Sequence, residues 1–405
     1  MKKSILAILS LAIMAGCSTS SGGLDIYPAE KGSDAFSADG MPAPEPGVNG
    51  GGNEQGIAGV VTAGEWNDLD NWQFWSHLMT TKSDEQTQGY DDVPSYWKFW
   101  TDRRVAISVK DGDGNPQAGV SVILLDGTRT VWTAVTDVLG RADCWIGMYD
   151  PDYQSGQLSV TLNGTPVEGS PQITGWDSEE TLVNEYSFTP STKVEDSADI
   201  LFIVDATGSM YDEIDFLKAD LKDILNKASN LEIPIKIRTG ALFYRDKGDD
   251  YLTRESAFSS NFSTTINFIG KQYADGGGDY PEAVHTALEQ SIQKFDWNSK
   301  ARARLAFMLL DAPPHHDDQG VIESLQKSVE FYAAHGIKLI PIAASGIDKP
   351  TEFLLRTFAI ATDGTYVFIT NDSGVGNEHI EATVGQYEVE KLNDLIVRLI
   401  QKYLV

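Results

Sequence analysis

The chain has 405 residues, which is enough for two or three domains of ordinary size. It is 41% hydrophobic and 22% charged, a composition that indicates folded domains rather than a disordered chain. Asp and Glu number 59 against 31 Lys and Arg, and the formal net charge of -28 argues against binding to nucleic acid or to anionic lipid.

Residues 1–16 are predicted to be a lipoprotein signal peptide. A basic KK pair precedes an apolar stretch that is shorter than the roughly 20 residues needed to span a bilayer. The sequence Met14-Ala15-Gly16-Cys17 resembles the bacterial lipobox, which implies lipidation (palmitate-type acyl chains) at Cys17 and a membrane anchor. The expected location is the bacterial cell envelope, and Ser18 favours the outer membrane. An ordinary secretory signal is the alternative.

Two segments of contrasting composition follow. Residues 17–57 are rich in Ser, Gly, Pro and Asp, which predicts a flexible tether. Residues 58–100 are rich in tryptophan, in EWNDLDNWQFW and SYWKFW. Clustered tryptophans can form a sugar-binding platform, but they more often fill a core. We therefore expect this segment to pack on the domain that follows.

Residues 101–190 contain short alternating segments, among them VAISVK, AGVSVILLD and TVWTAVTD, with turn residues between them. This pattern predicts an antiparallel β-sandwich. The order V-x-V-x-D, G-x-P-x-x-G, V-x-L, W-x-A-x-T-D and G-x-A resembles the prealbumin-like (Ig-like) sandwich of carboxypeptidase regulatory domains. The DGDGNP turn begins like an EF-hand loop, but Pro116 stands at the sixth position, where such a loop has Gly, and Val122 stands at the twelfth, where it has Glu. A plain turn is therefore expected. Cys144 is predicted to be buried.

Residues 196–405 alternate between apolar strands and amphipathic helices. The expected strands include DILFIVD, IKIRTGALFY, LAFMLLDA, IKLIPIAA and TYVFI. A helical stripe is expected from Met210, and a later helix is expected from Pro281. The whole chain is therefore predicted to be multidomain, a β-sandwich followed by a doubly wound, Rossmann-like α/β domain.

Acidic residues come at the ends of three of these strands and in one glycine-rich loop: Asp205, Asp246, Asp311 and Asp279. Ligands of open α/β sheets bind at the carboxyl ends of the strands, so these acids should converge. Carboxylates that converge repel one another unless a cation neutralises them. The hydroxyls of Thr207 and Ser209 stand beside Asp205, and an all-oxygen set suits Mg²⁺, with Mn²⁺ or Ca²⁺ as alternatives.

The same residues resemble the von Willebrand factor type A (VWA) family. Its metal-ion-dependent adhesion site begins D-x-S-x-S, which stands here as the variant Asp205-Ala206-Thr207-Gly208-Ser209. The motifs Y-R-D, G-G-G-D-x-P-E-A and D-A-P-P-H also match a subgroup of the family. The resemblance implies metal ligands at Asp205, Thr207, Ser209, Asp279 and Asp311. Asp246 and Asp275 are expected as outer or alternate ligands.

In the VWA family, an acidic group of a partner often completes the metal shell. Asp279 stands where the family usually has Thr, so three carboxylates would surround the ion. Such a site is net negative, and it should bind the cation more tightly but attract an anionic partner less. We therefore expect a structural or weakly recruiting metal site.

The same residues allow other interpretations. Ser209 could cap a helix without any metal. An Asp after a buried strand is also the nucleophile of haloacid-dehalogenase phosphatases, but Thr207 stands where their second Asp is needed. His315, His316, Asp317 and Asp318 resemble a zinc cluster, but a solvated loop is favoured. No motif for nucleotide binding is present.

The sequence thus predicts an envelope-anchored lipoprotein, not an enzyme, that binds an unknown protein partner through a cation-dependent VWA site. The alternatives are a metal-dependent hydrolase or phosphatase and a structural envelope component whose metal only stabilises the fold.

Overall fold

The computed structural model of the chain describes residues 56–84, 88–191 and 193–405. The predicted signal peptide, the lipidation site at Cys17 and nearly all of the predicted tether lie outside these residues. Within the described ranges, no helix is both long and apolar enough to cross a membrane.

The regular elements fall into three successive stretches. Before residue 100 the chain forms β1 (Thr62–Trp66), α1 (Trp72–Thr80) and α2 (Val93–Trp97). The next strands are β2 (Arg104–Lys110), β3 (Ser121–Asp126), β4 (Arg129–Val135), β5 (Arg141–Trp145), β6 (Leu158–Leu162), β7 (Thr165–Pro166) and β8 (Val183–Ser187). The last stretch contains β9 (Glu195–Asp205), α3 (Ile214–Ser229), β10 (Lys236–Tyr244), β11 (Thr253–Ser259), α4 (Phe262–Ile269), α5 (Val284–Gln293), β12 (Ala301–Leu310), α6 (Val321–Ala334), β13 (Ile337–Ala343), α7 (Lys349–Ala361), β14 (Tyr366–Ile369), β15 (Glu390–Lys391) and α8 (Leu392–Leu404).

The largest sheet has the strand order β11-β10-β9-β12-β13-β14-β1-β15. Its five central strands, from β10 to β14, run parallel, and the outer strands are antiparallel to their neighbours. The central strands are apolar along their length because helices cover both faces of the sheet. Leu201 and Ile203 of β9 share a core with α5, α6 and α7, whereas Phe202 and Val204 share the other core with α3 and α8. The fold is therefore a mixed, multi-sheet α/β structure.

Two smaller sheets are formed by the stretch between residues 101 and 190. One has the order β5-β2-β8 and the other β4-β3-β6-β7. Their alternate apolar residues, such as Val105, Ile107, Val122 and Val160, belong to one core, in which Cys144 is also buried. The prediction that every pairing would be antiparallel is wrong, because β2 and β8 pair in parallel.

The tryptophan-rich segment contributes to more than one part of the fold. It packs on the small sheets as expected, with the ring of Trp72 5.8 Å from that of Trp145 in β5. In addition, β1 pairs antiparallel with β14 and extends the large sheet. This pairing protects an edge of the parallel strands. Trp72, Trp75 and Trp97 are at most 2% exposed. Such burial identifies them as packing residues and leaves no open face for a sugar ring.

Candidate metal centre

Two of the predicted ligands lie at the carboxyl edge of the large sheet because their strands are neighbours. Asp205 is the last residue of β9, and Asp311 directly follows β12. The strands are parallel, with Leu309 of β12 opposite Val204 of β9. Burial, and then the negative charge of Asp205, raises the pKa of Asp311 well above its usual range. The carboxylates of Asp205 and Asp311 are therefore close enough to repel each other.

Thr207 and Ser209 bring hydroxyl oxygens to Asp205. The backbone N–H of Thr207 donates to Asp205 Oδ1 at 2.9 Å, and its hydroxyl donates to the same oxygen at 2.7 Å. Thr207 Oγ1 lies 3.1 Å from Ser209 Oγ. A Cβ at Gly208 would lie only 2.6 Å from the carbonyl oxygen of Gly276, so this backbone approach requires glycine. The D-x-T-x-S stretch thus forms one cluster of oxygen atoms.

Ser209 does not cap the helix that follows it. It lies within a 3₁₀ turn, Gly208–Asp212, and α3 begins only at Ile214. The helix is preceded by Glu213, which makes no side-chain capping bond. The interpretation of Ser209 as a helix cap is therefore wrong, and its hydroxyl is instead next to that of Thr207.

Glu282 is a functional candidate that was not predicted from the sequence. The predicted helix from Pro281 begins only at Val284, so Glu282 lies in the loop before α5. Its backbone N–H donates to the carbonyl oxygen of Pro313 at 2.8 Å, which ties it to the loop after Asp311. Burial, and then the charge of Asp205, raises the pKa of Glu282 well above its usual range. The glutamate in the G-G-G-D-x-P-E-A motif was the available signal.

The carboxylates of this centre have unsatisfied oxygen atoms. Asp205, Glu282 and Asp311 are at most 4% exposed. Asp205 Oδ2, Glu282 Oε2 and Asp311 Oδ1 are buried without a hydrogen-bond partner. Among the described residues, no Lys, Arg or His lies within ion-pair distance of these three carboxylates. Buried anions need a compensating charge, so this all-oxygen set fits a hard divalent cation such as Mg²⁺.

Asp279 and Asp246 lie together in a neighbouring group. One carboxylate oxygen of each, together with a ring nitrogen of His315, lies within 4.8 Å of the others. Asp279 is exposed, whereas Asp246 is buried. Glu282 is thus a further acid beside Asp205 and Asp311, while Asp279 is grouped with Asp246 and His315. The role of Asp279 as a metal ligand stays a prediction.

Asp275, the other predicted alternate ligand, faces an arginine. Its carboxylate lies 3.7 Å from the guanidinium of Arg245, and its side chain is 62% exposed. Arg245 is itself buried and donates to the carbonyl oxygens of Ala206 and Tyr273 at 3.0 and 2.8 Å. Arg245 therefore holds the loops around Asp205 in place, and Asp275 is the counter-charge of that arginine.

The prediction of a solvated loop at residues 315–318 is wrong for its two histidines. His316 stacks on Tyr96 with ring centroids 3.8 Å apart, and its Nε2 lies 2.9 Å from the carbonyl oxygen of Tyr96. His315 Nε2 lies 2.7 Å from Asp246 Oδ1. Asp318 remains exposed and pairs with Lys247. The loop is thus fixed at one end by the tryptophan-rich segment and at the other by Asp246.

Asp205 should give the metal-free protein a specific pH dependence. Burial raises its pKa from 3.8 to about 6, so between these values the folded chain holds a proton that the unfolded chain has lost. Stability from this residue therefore falls as the pH rises from 3.8 to about 6. In thermal unfolding with a chelator, wild type should lose stability relative to Asp205→Asn across this window. A pH-independent difference would contradict the prediction.

Comparison with known proteins gives only partial matches. No family model matches the chain. An ariadne-like RING finger protein of Acanthamoeba polyphaga mimivirus is 34% identical over 124 residues, which are 29% of this chain and 11% of that protein. Alpha-protein kinase vwkA of Dictyostelium discoideum is 30% identical over 149 residues, 36% of this chain and 23% of that protein. The chain thus spans less than a quarter of either relative. The BatB structure from Bacteroides thetaiotaomicron covers 51% of this chain and 98% of its own, with 11% identity and a TM-score of 0.35.

Proposed function

We propose that the chain is an envelope lipoprotein whose VWA-type domain binds another protein in a divalent-cation-dependent manner. The observation that carries the proposal is the set of unpartnered, buried carboxylate oxygens of Asp205, Glu282 and Asp311. Buried carboxylates are neutralised either by a proton or by a cation, and a cation would also use the neighbouring hydroxyl oxygens as ligands. The D-x-T-x-S loop brings the hydroxyls of Thr207 and Ser209 to the same place.

These five residues would hold Mg²⁺, with Mn²⁺ or Ca²⁺ as alternatives. When bound, the ion supplies positive charge that neutralises the acids and stabilises the loops that carry them. Three carboxylates around one divalent ion leave a net negative centre, which repels an anionic partner. We therefore propose that the ion organises the binding face, and that neutral side chains at its rim make the main contacts with the partner.

Tyr211 is the rim residue best suited to such a contact. It lies two residues after Ser209 in the 3₁₀ turn and is 74% exposed. Tyrosine is enriched in protein interfaces because it buries a large rigid ring and keeps a polar hydroxyl. Because the turn follows directly from the oxygen cluster of Thr207 and Ser209, the cation should control where Tyr211 is held.

Binding rather than catalysis is supported by the environment of Asp205. Its side chain is fully buried, and the hydroxyl of Thr207 donates to one of its oxygens. A phosphatase nucleophile must instead reach the phosphorus atom of its substrate. The lipid anchor at Cys17 and the outer-membrane location belong to the same proposal, and they rest on the lipobox sequence.

Capture of an envelope protein should depend on both the cation and Tyr211. Immobilised full-length protein is exposed to envelope extract with Mg²⁺ or with a chelator, and bound proteins are identified by mass spectrometry. We expect Mg²⁺-dependent capture by wild type. Tyr211→Ala should reduce capture about tenfold or more, as typical interface hot spots do, yet keep its stabilisation by Mg²⁺. Leu139→Ala, at an exposed apolar side chain elsewhere, is the control.

Equal capture with and without the chelator would overturn the adhesion proposal. It would favour a structural envelope component whose cation only stabilises the fold. Capture that depends on the cation but not on Tyr211 would move the contact to another part of the rim.

A further inference from the structure

Asp246, Asp279 and His315 form a compact group of ligand atoms beside the proposed Mg²⁺ centre. Each residue offers one such atom, and the three atoms lie within 4.8 Å of one another. His315 Nε2 is 2.7 Å from Asp246 Oδ1. The side chains of Asp246 and His315 are 7% and 14% exposed, so this part of the group is largely withdrawn from water. Carboxylate and imidazole groups are both ligands of divalent transition metals.

Backbone pairing holds this group of residues next to the first centre. Tyr244, the last residue of β10, is paired with Asp205, and Asp246 follows two residues later. Glu282 forms an isolated bridge with Pro314, the residue before His315. The loop that carries Asp279 and the loop that carries His315 are therefore held side by side. The group results from strand order and loop pairing, and it does not depend on chance contacts of long surface side chains.

Glu282 supplies a second observation that points to a ligand in this region. It is 2% exposed, and its Oε2 has no hydrogen-bond partner. A Cβ at Gly277, in the loop that leads to Asp279, would lie 2.9 Å from Glu282 Oε1 and 3.4 Å from Thr207 Cβ. The side chain of Glu282 therefore lies where the loop of Asp279 meets the first centre. At this position, one carboxylate oxygen of Glu282 can be a ligand of a cation in the first centre, and the other can be a ligand of a cation in the second group.

The charge of the combined region is more than one cation can neutralise. Five carboxylates are involved: Asp205, Glu282, Asp311, Asp246 and Asp279. One divalent cation would leave a net charge of minus three, and two would leave minus one. The only basic side chain within ion-pair distance of Asp246 in the described part of the chain is His315. A second cation removes most of the remaining repulsion.

We propose that the chain binds a second divalent cation through Asp246, Asp279 and His315, with Glu282 shared between the two ions. The imidazole makes this site prefer Mn²⁺ or Zn²⁺ over Mg²⁺, whereas the all-oxygen centre at Asp205 accepts Mg²⁺. The residues are separate from those of the first centre apart from Glu282. The second site can therefore exist even if the cation at Asp205 has no role in partner binding.

The test is the number of Mn²⁺ ions bound by the full-length protein at equilibrium. The protein is dialysed against Mn²⁺ alone, or against Mn²⁺ with a large excess of Mg²⁺, and metal is counted by inductively coupled plasma mass spectrometry. Mg²⁺ should occupy the Asp205 centre and the exposed acids. We expect two Mn²⁺ per chain without Mg²⁺ and one with it. His315→Asn should bind one Mn²⁺ without Mg²⁺ and none with it. Asp311→Asn should bind one Mn²⁺ under both conditions.

His335→Asn, which removes an exposed imidazole at the end of α6, is the matched control and should bind metal as wild type does. Circular dichroism and thermal unfolding check that each variant is folded. Loss of all Mn²⁺ from wild type in excess Mg²⁺ would overturn the second site. So would an unchanged count in His315→Asn, since the 2.7 Å contact would then be only a His–Asp ion pair. If only the centre at Asp205 failed to bind metal, the wild type would still bind one Mn²⁺ in excess Mg²⁺.

Discussion

Replacing Asp311 by asparagine should abolish the stabilisation of the protein by Mg²⁺ and raise the stability of the chelated protein. Asp311 is 4% exposed, and its Oδ1 has no partner. Burial, followed by the charge of Asp205, raises its pKa. Without a cation these acids repel each other. A neutral side chain of the same shape removes this repulsion and so stabilises the folded state. With a cation the same change removes a ligand.

The expected size follows from linkage. A cation at a hundred times its Kd stabilises the folded state by about 2.7 kcal/mol, which shifts Tm by about 5–10 °C for a domain of this size. Tryptophan fluorescence during heating, with Mg²⁺ or with a chelator, measures both effects. Asp113→Asn removes an equal charge from an exposed turn and should respond to Mg²⁺ as wild type does. A full Mg²⁺ response in Asp311→Asn would exclude Asp311 as a ligand.

The sequence predicts those residues of the site that are neighbours in the chain or that follow directly after a strand. Asp205, Thr207 and Ser209 are neighbours in the chain, and Asp311 follows a strand that pairs directly with β9. The G-G-G-D-x-P-E-A motif contains Glu282, but the sequence does not place this residue beside Asp205. Its position depends on a backbone bridge to Pro314, a contact between two loops that no short-range pattern encodes.

Three acids within eight residues also compete for the same role in the glycine-rich loop. Asp275, Asp279 and Glu282 are all reasonable ligands by spacing alone. The structure gives each a different neighbour: Arg245 for Asp275, His315 for Asp279, and the acids of the first centre for Glu282. Only the path of the backbone separates them, with the positive φ angles of two glycines in this loop turning the chain.

Strand β1 is not predictable from the sequence for a similar reason. TAGEW is short and has little alternation, and its partner β14 lies about 300 residues later in the chain. Long-range pairing of this kind is decided by the free edge of the finished sheet. The parallel pairing of β2 with β8 is likewise a property of the folded small sheets. The parallel order of the central strands was predictable because each strand there carries its own strong apolar signal.

Asp68→Asn should be the most destabilising conservative change in the tryptophan-rich segment. Arg356 of α7 is fully buried and donates from Nε and Nη2 to the two carboxylate oxygens of Asp68, at 2.9 and 2.6 Å. The guanidinium also lies 5.0 Å from the ring centre of Trp75. Removing one partner of a buried ion pair costs about 3–5 kcal/mol when the other charge is left uncompensated. Glu352, whose Oε1 lies 3.9 Å from Arg356 Nη1, compensates part of this charge, so we expect a loss near the lower end of that range, about 3 kcal/mol.

Urea unfolding measures this loss as a change in the free energy of unfolding. Asp70→Asn is the matched control, because Asp70 is in the same loop but exposed, and lies 3.5 Å from Arg141, whose side chain is 49% exposed. Such a surface pair is worth at most about 1 kcal/mol. Mg²⁺ binding should change little in either variant, since neither residue belongs to the metal centre.

The contrast between these two variants decides whether the tryptophan-rich segment is a fixed part of the α/β domain. Tyr90 donates to Glu352 at 2.8 Å, and Trp97 donates to the carbonyl oxygen of Pro350 at 2.8 Å, so three separate contacts join the segment to α7. If the segment were only a tether, Asp68→Asn would be as mild as Asp70→Asn. A loss several times larger, with a single unfolding transition, means that the segment and the domain unfold together.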